Sequence, residues 1–478
     1  MRELPDVSRL LSLDGARWAK LGERLRASGL DARYLARVLR VGERVDDAMR
    51  APMRLWTLRR ARDEAALGAR LFVFGDVLAR AEAESAVGDL SPWLDAGLIT
   101  EREDGFACPF RLAFALDRLV FADDLAASGD AVMGPAATSV YACLAARPSA
   151  RVGSLLDLGC GAGTIALALA DRAERVVATD VSARALALAE TNARLNGVAN
   201  LELRRGDWLE PVRGERFDLV VSQPPFVARR AGEGDAPFLH GGRRGDEIAL
   251  GLFARIGDAI GEGGRAIVLV DWPVVDADPI DARVRRAIPE VDLACLVLAS
   301  PARSLEDHCT LHAAAAHPTL DDAFARAALA MRDHLEAEGV RSLRLAINVL
   351  ERVEAPAWTA LVSVGHFADA PPSAVAIDRV MRSRDLLARP EALADARLAI
   401  PADVRCDAPI AGQVVVRPAR DRLLPPVVVD ARVVECAERV ARAGSPGAAG
   451  ANLEQTREAL AAGLLDVVSE RASTPRPA

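Results

Sequence analysis

A run of four residues near the middle of the chain has the side chains needed to hold a flat nitrogen group. The run is Gln223-Pro224-Pro225-Phe226, named the QPPF block below, and it follows an apolar stretch at 217–222. An amide or exocyclic amine has a delocalised lone pair, so a protein acting on it must orient the group and accept hydrogen bonds from it. The Gln223 and Pro224 carbonyls can accept those bonds, proline contributes no N–H donor, and the Phe226 ring can stack on the flat group.

An upstream segment has the form of a cofactor-binding turn. The apolar residues 152–158 predict a buried strand, Gly159, Gly161 and Gly163 predict a tight turn, and a helix follows. Position 164 is Thr, so the G-x-G-x-x-G spacing of dinucleotide-binding turns is not met. The turn therefore favours a nucleotide cofactor that lacks a pyrophosphate. A second apolar strand ends at Asp180, whose carboxylate could accept both hydroxyl hydrogens of a ribose.

These two segments belong to a series of four blocks in a fixed order. The blocks are 157–163, 179–180, 206–208 and 217–226. In this order they resemble the class I S-adenosylmethionine (SAM) methyltransferases, and the QPPF block is most similar to those of release-factor glutamine methyltransferases and ribosomal RNA guanine-N2 methyltransferases. The resemblance is specific over 152–272. It implies an α/β fold with a Rossmann-like core around a seven-stranded sheet, with SAM as cofactor and no metal.

The resemblance also assigns roles to residues of this chain. It implies that the glycine turn lies under the methionine part of SAM, that Asp180 holds the ribose, and that the Asp207 block faces the adenine. The residues implied for SAM binding are Asp157, Gly159, Cys160, Gly161, Gly163, Asp180, Val181, Asp207 and Trp208. The QPPF residues Gln223, Pro224, Pro225 and Phe226 are the implied catalytic residues.

Gln223 departs from the family pattern, which has Asn or Asp at this position. Glutamine keeps the amide acceptor but adds one methylene, so its carbonyl must retract or the substrate must sit differently. A misplacement of about 1 Å can be costly in catalysis, so a weak or inactive site is the other interpretation.

Three functions fit these residues. The first is a SAM-dependent methyltransferase acting on a nitrogen, with a protein glutamine side chain or a similar amide as acceptor. The second is an N-methyltransferase acting on an exocyclic amine of an RNA or DNA base. The third is a non-catalytic SAM-binding regulatory module whose N-terminal part binds DNA or a protein partner.

Charge does not decide among these functions. The net charge of −8 and pI of about 5.5 do not suggest a protein that coats nucleic acid. Between Ala16 and Arg70, however, there are 14 basic and 7 acidic residues. This local excess of positive charge could contact phosphates or form a solvated surface.

The order of elements predicts three regions. Residues 1–125 are helical and end in a short hairpin, which predicts a winged-helix-like domain. Residues 126–400 form the methyltransferase core, with an insertion at 273–318 and a closing antiparallel hairpin of strands at 341–353 and 358–367. Residues 401–478 form a small accessory region with a disordered tail.

Two connecting segments are expected beside the site. The segment 121–150 either closes the SAM pocket or is an ordinary linker and helix. The glycine-rich segment 228–246 is the expected substrate-gating loop, and its His240 either orients a substrate or lies on the surface.

Composition bears on where the protein is located and on whether it has disulfides or a metal site. The chain has 51% hydrophobic residues but no apolar run near the ~18 residues of a membrane span, and no signal-peptide core at the N-terminus, so we expect a cytoplasmic protein. Its seven cysteines form no C-x-x-C pair, which predicts neither disulfides nor a zinc knuckle. His308 and His312 have the i, i+4 spacing of a helical metal chelate, but no further ligand cluster accompanies them.

Overall fold

The computed structural model describes most of the 478-residue chain. The described residues are 4–39, 50–124, 130–230, 238–289, 291–317, 319, 321–353, 357–418 and 424–468. Part of the predicted gating loop, residues 231–237, and the predicted tail at 472–478 lie outside these ranges. Within them, no helix combines the length and apolar character needed to cross a membrane.

The N-terminal region is a group of helices followed by two β-hairpins. Its helices are α1 (Ser8–Ser12), α2 (Gly15–Ala27), α3 (Ala32–Leu39), α4 (Ala51–Leu58), α5 (Glu64–Gly68), α6 (Arg80–Val87) and α7 (Ser91–Asp95). Its strands are β1 (Thr100–Arg102), β2 (Gly105–Ala107), β3 (Arg111–Ala115) and β4 (Arg118–Ala122). The β1–β2 hairpin follows α7, as the sequence predicts, while the β3–β4 hairpin was not predicted.

Several arginines of this region are used in contacts within the chain. Arg24 forms an ion pair of 3.1 Å with Glu64. Arg59 and Arg70 both contact the Asp76 carboxylate, at 2.7 and 2.8 Å. Each such pair places a carboxylate beside the guanidinium, which reduces the positive potential that a phosphate backbone would encounter.

The central region is built on one large β-sheet flanked by helices. Its strands are β5 (Val152–Leu158), β6 (Ala173–Asp180), β7 (Leu201–Arg205), β8 (Phe217–Ser222), β9 (Val227–Ala228), β10 (His240–Gly242), β11 (Ile260–Val274), β12 (Leu293–Ala299), β13 (Arg303–Ser304), β14 (Ser342–Arg352) and β15 (Thr359–Ser363). Its helices are α8 (Ala137–Ala146), α9 (Thr164–Leu169), α10 (Ala183–Asn196), α11 (Glu247–Phe253), α12 (Ile280–Ala287), α13 (Leu305–Ala316), α14 (Asp322–Ala337) and α15 (Ala374–Ala388).

The strand order confirms the predicted α/β, Rossmann-like fold class. The order is β15-β12-β14-β11-β8-β5-β6-β7, with β13 pairing β14 off this path. Strands β7, β6, β5, β8 and β11 are parallel neighbours, and β14 is antiparallel to both β11 and β12. The described sheet has nine strands, since β12 and β13 add to the seven that the sequence predicts.

The sequence predicted an insertion at 273–318 followed by a closing hairpin of the strands now called β14 and β15. This prediction is wrong. β12 falls inside that interval and lies between β14 and β15, antiparallel to β14 and parallel to β15. All seven residues of β12 are buried. A strand with both faces covered belongs to a sheet interior, so β12 separates the two strands that were expected to pair.

Alternating side chains of each strand pack into two apolar layers, one on each face of the sheet. Leu219 and Val221 of β8 pack on the side that includes α8, α9 and α15, whereas Val220 packs on the side of α11 and α12. This alternation follows from the two-residue period of a strand. The sheet is therefore covered on both faces, as its mostly parallel strands require.

The C-terminal region has its own small core. Its elements are α16 (Pro390–Leu393), β16 (Leu398–Ala399), β17 (Arg405–Cys406), β18 (Gln413–Arg417), β19 (Val427–Asp430), α17 (Ala431–Ala443), α18 (Leu453–Ala461) and β20 (Asp466–Val467). Leu386, Leu393 and Leu398 pack in this core with residues of α17 and α18. The packing therefore begins before residue 401, where the sequence predicted the boundary.

Helix α10 joins the N-terminal region to the core through a fully buried asparagine. The side chain of Asn192 accepts a hydrogen bond from the Phe121 N–H (2.8 Å) and donates to the carbonyls of Phe121 (2.9 Å) and Ala162 (3.0 Å). Leu188 and Leu195 of the same helix belong to the apolar cluster of the N-terminal region. The two regions thus share one core across α10.

Substituting Asn192→Ala tests this connection. The change leaves buried backbone groups of Phe121 and Ala162 without partners, so we expect a loss of about 2–4 kcal/mol in the free energy of unfolding. Urea unfolding measures this loss, with Arg213→Ala as an exposed control expected to change little. A loss below about 1 kcal/mol for Asn192→Ala would contradict the role of this residue.

Candidate active site

The glycine turn connects β5 to α9 in a conformation that favours glycine at three positions. Gly159, Gly161 and Gly163 have φ values of +76°, +54° and +83°. A side chain at Gly163 would also place its Cβ 3.1 Å from Cβ of Ala189 on α10. The turn therefore lies close against α10, with Gly159 exposed and Gly161 partly exposed.

Asp180, at the end of β6, ties this turn to the start of α10. One carboxylate oxygen accepts a hydrogen bond from the Gly161 N–H and the other from the Ser182 N–H, both at 2.9 Å. Each oxygen keeps acceptor capacity beyond these bonds. The carboxylate is thus already oriented, and it can accept further hydrogen bonds from ligand hydroxyl groups. Val181 beside it is 64% exposed.

Asp157 places a buried carboxylate beneath the turn. It is 1% exposed, and its Oδ2 accepts a hydrogen bond of 2.8 Å from the Ala166 N–H. Its Oδ1 is buried and accepts no hydrogen bond from the described residues. Burial raises the pKa of Asp157 to about 7. An unpaired buried carboxylate oxygen is costly by itself, so it favours a cationic or N–H-bearing ligand.

Asp207 and Trp208 follow β7 at the same end of the sheet. Trp208 has a φ of +49°, which is uncommon for a bulky residue and is often found at functional sites. The Trp208 ring lies against Gly251 of α11, and a Cβ added to Gly251 would be 3.1 Å from the ring. The Arg255 guanidinium lies 5.7 Å from the ring centroid. Trp208 is half-buried and Asp207 is exposed, so the two present a flat ring and a carboxylate.

The QPPF block follows β8 directly beside the glycine turn. Ser222 and Leu158 end neighbouring parallel strands in register, and the Ser222 hydroxyl donates to the Leu158 carbonyl at 2.8 Å. The carboxyl ends of β5, β6, β7 and β8 lie along one edge of the sheet, called the carboxyl edge below. The structure therefore brings the four sequence blocks together at this edge.

Gln223 points its amide toward α8. The Oε1 atom accepts a hydrogen bond from the Ser139 hydroxyl, and Nε2 donates to the Thr138 hydroxyl, both at 3.0 Å. The sequence did not assign a role to these two residues. The predicted approach segment at 121–150 contains them, but their contact with Gln223 joins positions more than 80 residues apart.

A second glycine-rich segment, residues 240–245, packs against the backbone of the QPPF block. β10 pairs with β9, and a Cβ on Gly241 would lie 2.3 Å from the Gly245 carbonyl oxygen and 2.6 Å from that of Pro225. The Glu247 carboxylate accepts hydrogen bonds from the backbone N–H groups of Arg244 and Gly245. Backbone thus packs directly on backbone here, which requires glycine at 241.

Beneath this segment lies a buried ion pair that the sequence did not predict. Asp246 is fully buried, and its carboxylate lies 3.3 Å from the Arg283 Nε of α12 and 3.4 Å from the Arg244 Nε. Arg283 also donates to the Pro273 carbonyl at 2.5 Å. The ion pair fixes the segment that follows the QPPF block to the sheet.

Phe226 is packed partly against α13. It is half-buried and borders an apolar cluster that includes Val227, Leu305 and Cys309. His240, half-buried in β10, lies in the segment that pairs with Val227. His308 and His312 pack ring against ring on α13, at 4.4 Å between centroids, and no group of metal-ligand side chains was found among the described residues.

Gly241→Ala is expected to displace the QPPF backbone. Because the new Cβ would meet backbone oxygens rather than flexible side chains, we expect a loss of about 1–3 kcal/mol in the free energy of unfolding. Chemical unfolding measures it, and Gly365→Ala is the matched control, since no atom lies within 4 Å of a Cβ there. Equal stabilities for the two variants would argue against this packing.

Comparison with known proteins supports the class indicated by the fold and the site. Residues 136–239 match the family model described as Methyltransferase small domain. The predicted resemblance to class I methyltransferases is thereby confirmed for this segment, which contains the glycine turn, Asp180 and the QPPF block.

Within that class, the chain is similar to release factor glutamine methyltransferases. It is 53% identical over 74 residues to the enzyme of that name from Xylella fastidiosa strain 9a5c, covering 15% of this chain and 27% of the relative. It is 44% identical over 121 residues to that of Bordetella pertussis, covering 24% of this chain and 43% of the relative. The chain thus matches less than half the length of either relative.

A solved structure gives a weaker likeness. The ribosomal protein L11 methylase of Lactobacillus delbrueckii subsp. bulgaricus aligns with 47% of this chain and 82% of its own chain, at 20% identity and a TM-score of 0.28. A likeness this weak does not bear on function.

Proposed function

We propose that the protein is a SAM-dependent methyltransferase that methylates the side-chain amide nitrogen of a glutamine in a protein acceptor. The observation that carries the proposal is the adjacency of the glycine turn and the QPPF block. Leu158 and Ser222 end neighbouring strands in register, so a cofactor over the turn would face an acceptor on Gln223 and Pro224. Nitrogen methylation needs this juxtaposition of donor and flat acceptor.

The residues at the carboxyl edge fit SAM. Asp157 Oδ1 is buried and accepts no hydrogen bond from the described residues, so it suits the amino group of the methionine part. The Asp180 carboxylate has acceptor capacity for the two ribose hydroxyl groups, next to the exposed Val181. The Trp208 ring, which follows Asp207, offers a flat surface for the adenine. When bound, SAM supplies an activated methyl group.

The QPPF block orients the acceptor. The carbonyl oxygens of Gln223 and Pro224 accept hydrogen bonds from the amide N–H groups and turn the nitrogen toward the cofactor. Pro225 keeps the loop rigid, and the half-buried Phe226 ring lies against the flat amide. The amide proton can leave to water after attack, so no side chain is required as a general base.

Two observations favour a protein acceptor over a nucleic-acid base. The relatives named above are release factor methyltransferases, and the arginines of the N-terminal region are partly neutralised by Glu64 and Asp76. A contact between this region and nucleic acid stays a separate hypothesis. An acceptor used in translation would place the reaction in the cytoplasm.

SAM binding should depend on the ionisation of Asp157. Because burial raises the pKa of this carboxyl to about 7, it is mostly protonated at pH 6 and mostly ionised at pH 7.5. A cationic amino group binds the ionised form, so we expect the affinity for SAM to rise several-fold between pH 6 and pH 7.5. This interval lies below the usual pKa of an α-amino group, so the amino group of SAM stays cationic throughout.

Isothermal titration calorimetry at both pH values measures this dependence. Asp157→Asn keeps the shape of the side chain but cannot ionise, so its affinity should be lower and should lose the rise. A rise of equal size in the variant would show that another group causes it.

Gln223→Ala tests the catalytic assignment. Removal of the orienting carbonyl should lower turnover about 100-fold or more and leave the dissociation constant for SAM within about twofold. The assay is transfer of a radiolabelled methyl group from SAM into bacterial cell lysate, with protease and nuclease digestion before counting. Asp180→Ala is the matched control, which should weaken SAM binding itself.

The outcomes separate the three functions. Label lost after protease treatment supports the proposal, and label lost after nuclease treatment replaces it with the base N-methyltransferase. SAM binding without transfer into protein, nucleic acid or small molecules would indicate a regulatory module.

A further inference from the structure

The amide of Gln223 is held by two consecutive residues of α8. The Ser139 hydroxyl donates to Oε1, and the Thr138 hydroxyl accepts from Nε2, each at 3.0 Å. Ser139 is 8% exposed and Thr138 is half-buried, so both bonds are partly buried. Gln223 thus has a partner at each end of its amide.

This arrangement holds the amide in place and leaves part of it available. A glutamine amide has two lone pairs on oxygen and two hydrogens on nitrogen. Ser139 uses one lone pair and Thr138 binds one hydrogen, so one acceptor and one donor position are left.

The helix that carries the two hydroxyl groups is firmly placed. Ala142 and Cys143 of α8 are fully buried in the apolar layer that also contains Ile165 and Leu169 of α9. Consecutive residues at the start of a packed helix have little freedom to move apart. The hydroxyl groups therefore form a rigid support rather than a mobile contact.

Side-chain length explains why glutamine suits this support. An asparagine at 223 would be shorter by one carbon–carbon bond, about 1.5 Å. From the same backbone position its amide would lie beyond hydrogen-bond distance of the hydroxyl groups of Thr138 and Ser139, unless α8 moved. The extra methylene of Gln223 is thus matched by a partner on α8.

We propose that Thr138 and Ser139 are positioning residues that orient the Gln223 amide for the methyl acceptor. This inference rests on the proposed function, since it assigns the free positions of that amide to the acceptor. One free acceptor and one free donor are complementary to a primary carboxamide, which offers N–H and C=O together. A simple alkyl amine lacks an acceptor for the free N–H.

Turnover tests the proposal. Ser139→Ala and Thr138→Val should each lower kcat about tenfold, as expected for one lost orienting hydrogen bond, with the KM for SAM within about twofold. Ser139→Thr and Thr138→Ser retain the hydroxyl groups and should recover most of kcat. A kcat equal to wild type in Ser139→Ala and Thr138→Val would overturn the proposal.

A double-mutant cycle separates positioning from a general effect on α8. In a Gln223→Ala background the hydroxyl groups have no amide to orient, so Ser139→Ala should lower kcat no further. A tenfold loss in that background as well would show that Ser139 acts independently of Gln223 and would overturn the proposal. Gln223→Asn should also remain below wild type, and an equal or higher kcat would contradict the need for the longer side chain.

A measurement without any acceptor distinguishes failure of the contact from failure of the proposed function. In spectra of the full-length protein labelled with ¹⁵N, the side-chain amide signals of Gln223 are identified by their loss in Gln223→Ala. They should shift and exchange faster with water in Ser139→Ala and Thr138→Val. Ser154→Ala, which removes a hydroxyl near the opposite end of β5, is the control and should leave them unchanged.

Unchanged Gln223 signals in both α8 variants would overturn the contact whatever the activity. Shifted signals in a protein that methylates no acceptor would support the contact and reject the proposed function, and with it the assignment of the free positions to an acceptor.

Discussion

The carboxylate of Asp180 is the interaction on which the rest of the candidate site depends. It binds the Gly161 and Ser182 N–H groups together, so the glycine turn after β5 and the start of α10 form one unit. Farther along α10, Asn192 binds the Ala162 carbonyl of the same turn and the backbone of Phe121. The turn is therefore held from two sides, and the N-terminal region is part of its support rather than a separate attachment.

The features that follow local rules could be predicted from the sequence. Ser182 caps α10 by accepting a hydrogen bond from the Ala185 N–H, and Gly197 ends that helix with a φ of +65°. The glycine turn and the ends of the parallel strands likewise depend on residues within a short window. Their convergence at the carboxyl edge then follows from the parallel arrangement of β5 to β8.

The features that depend on distant partners could not be predicted. β12 is recognisable as an apolar strand, but its position between β14 and β15 depends on a choice of partner that periodicity does not encode. The same limit applies to Gln223, whose departure from the family pattern is visible in the sequence while its partners on α8 are not. Asp246 and Arg283 form a buried pair for which the sequence shows only two ordinary charged residues.

The proposed activity requires that this carboxyl edge holds a glutamine amide for methylation. The most direct measurement is peptide mass spectrometry of a purified bacterial release factor after incubation with the protein and SAM, with Gln223→Ala in parallel. We expect one added methyl group on a glutamine side chain with the wild-type protein and almost none with the variant. An unmodified glutamine, together with a methyl group on another residue or another class of molecule, would contradict it.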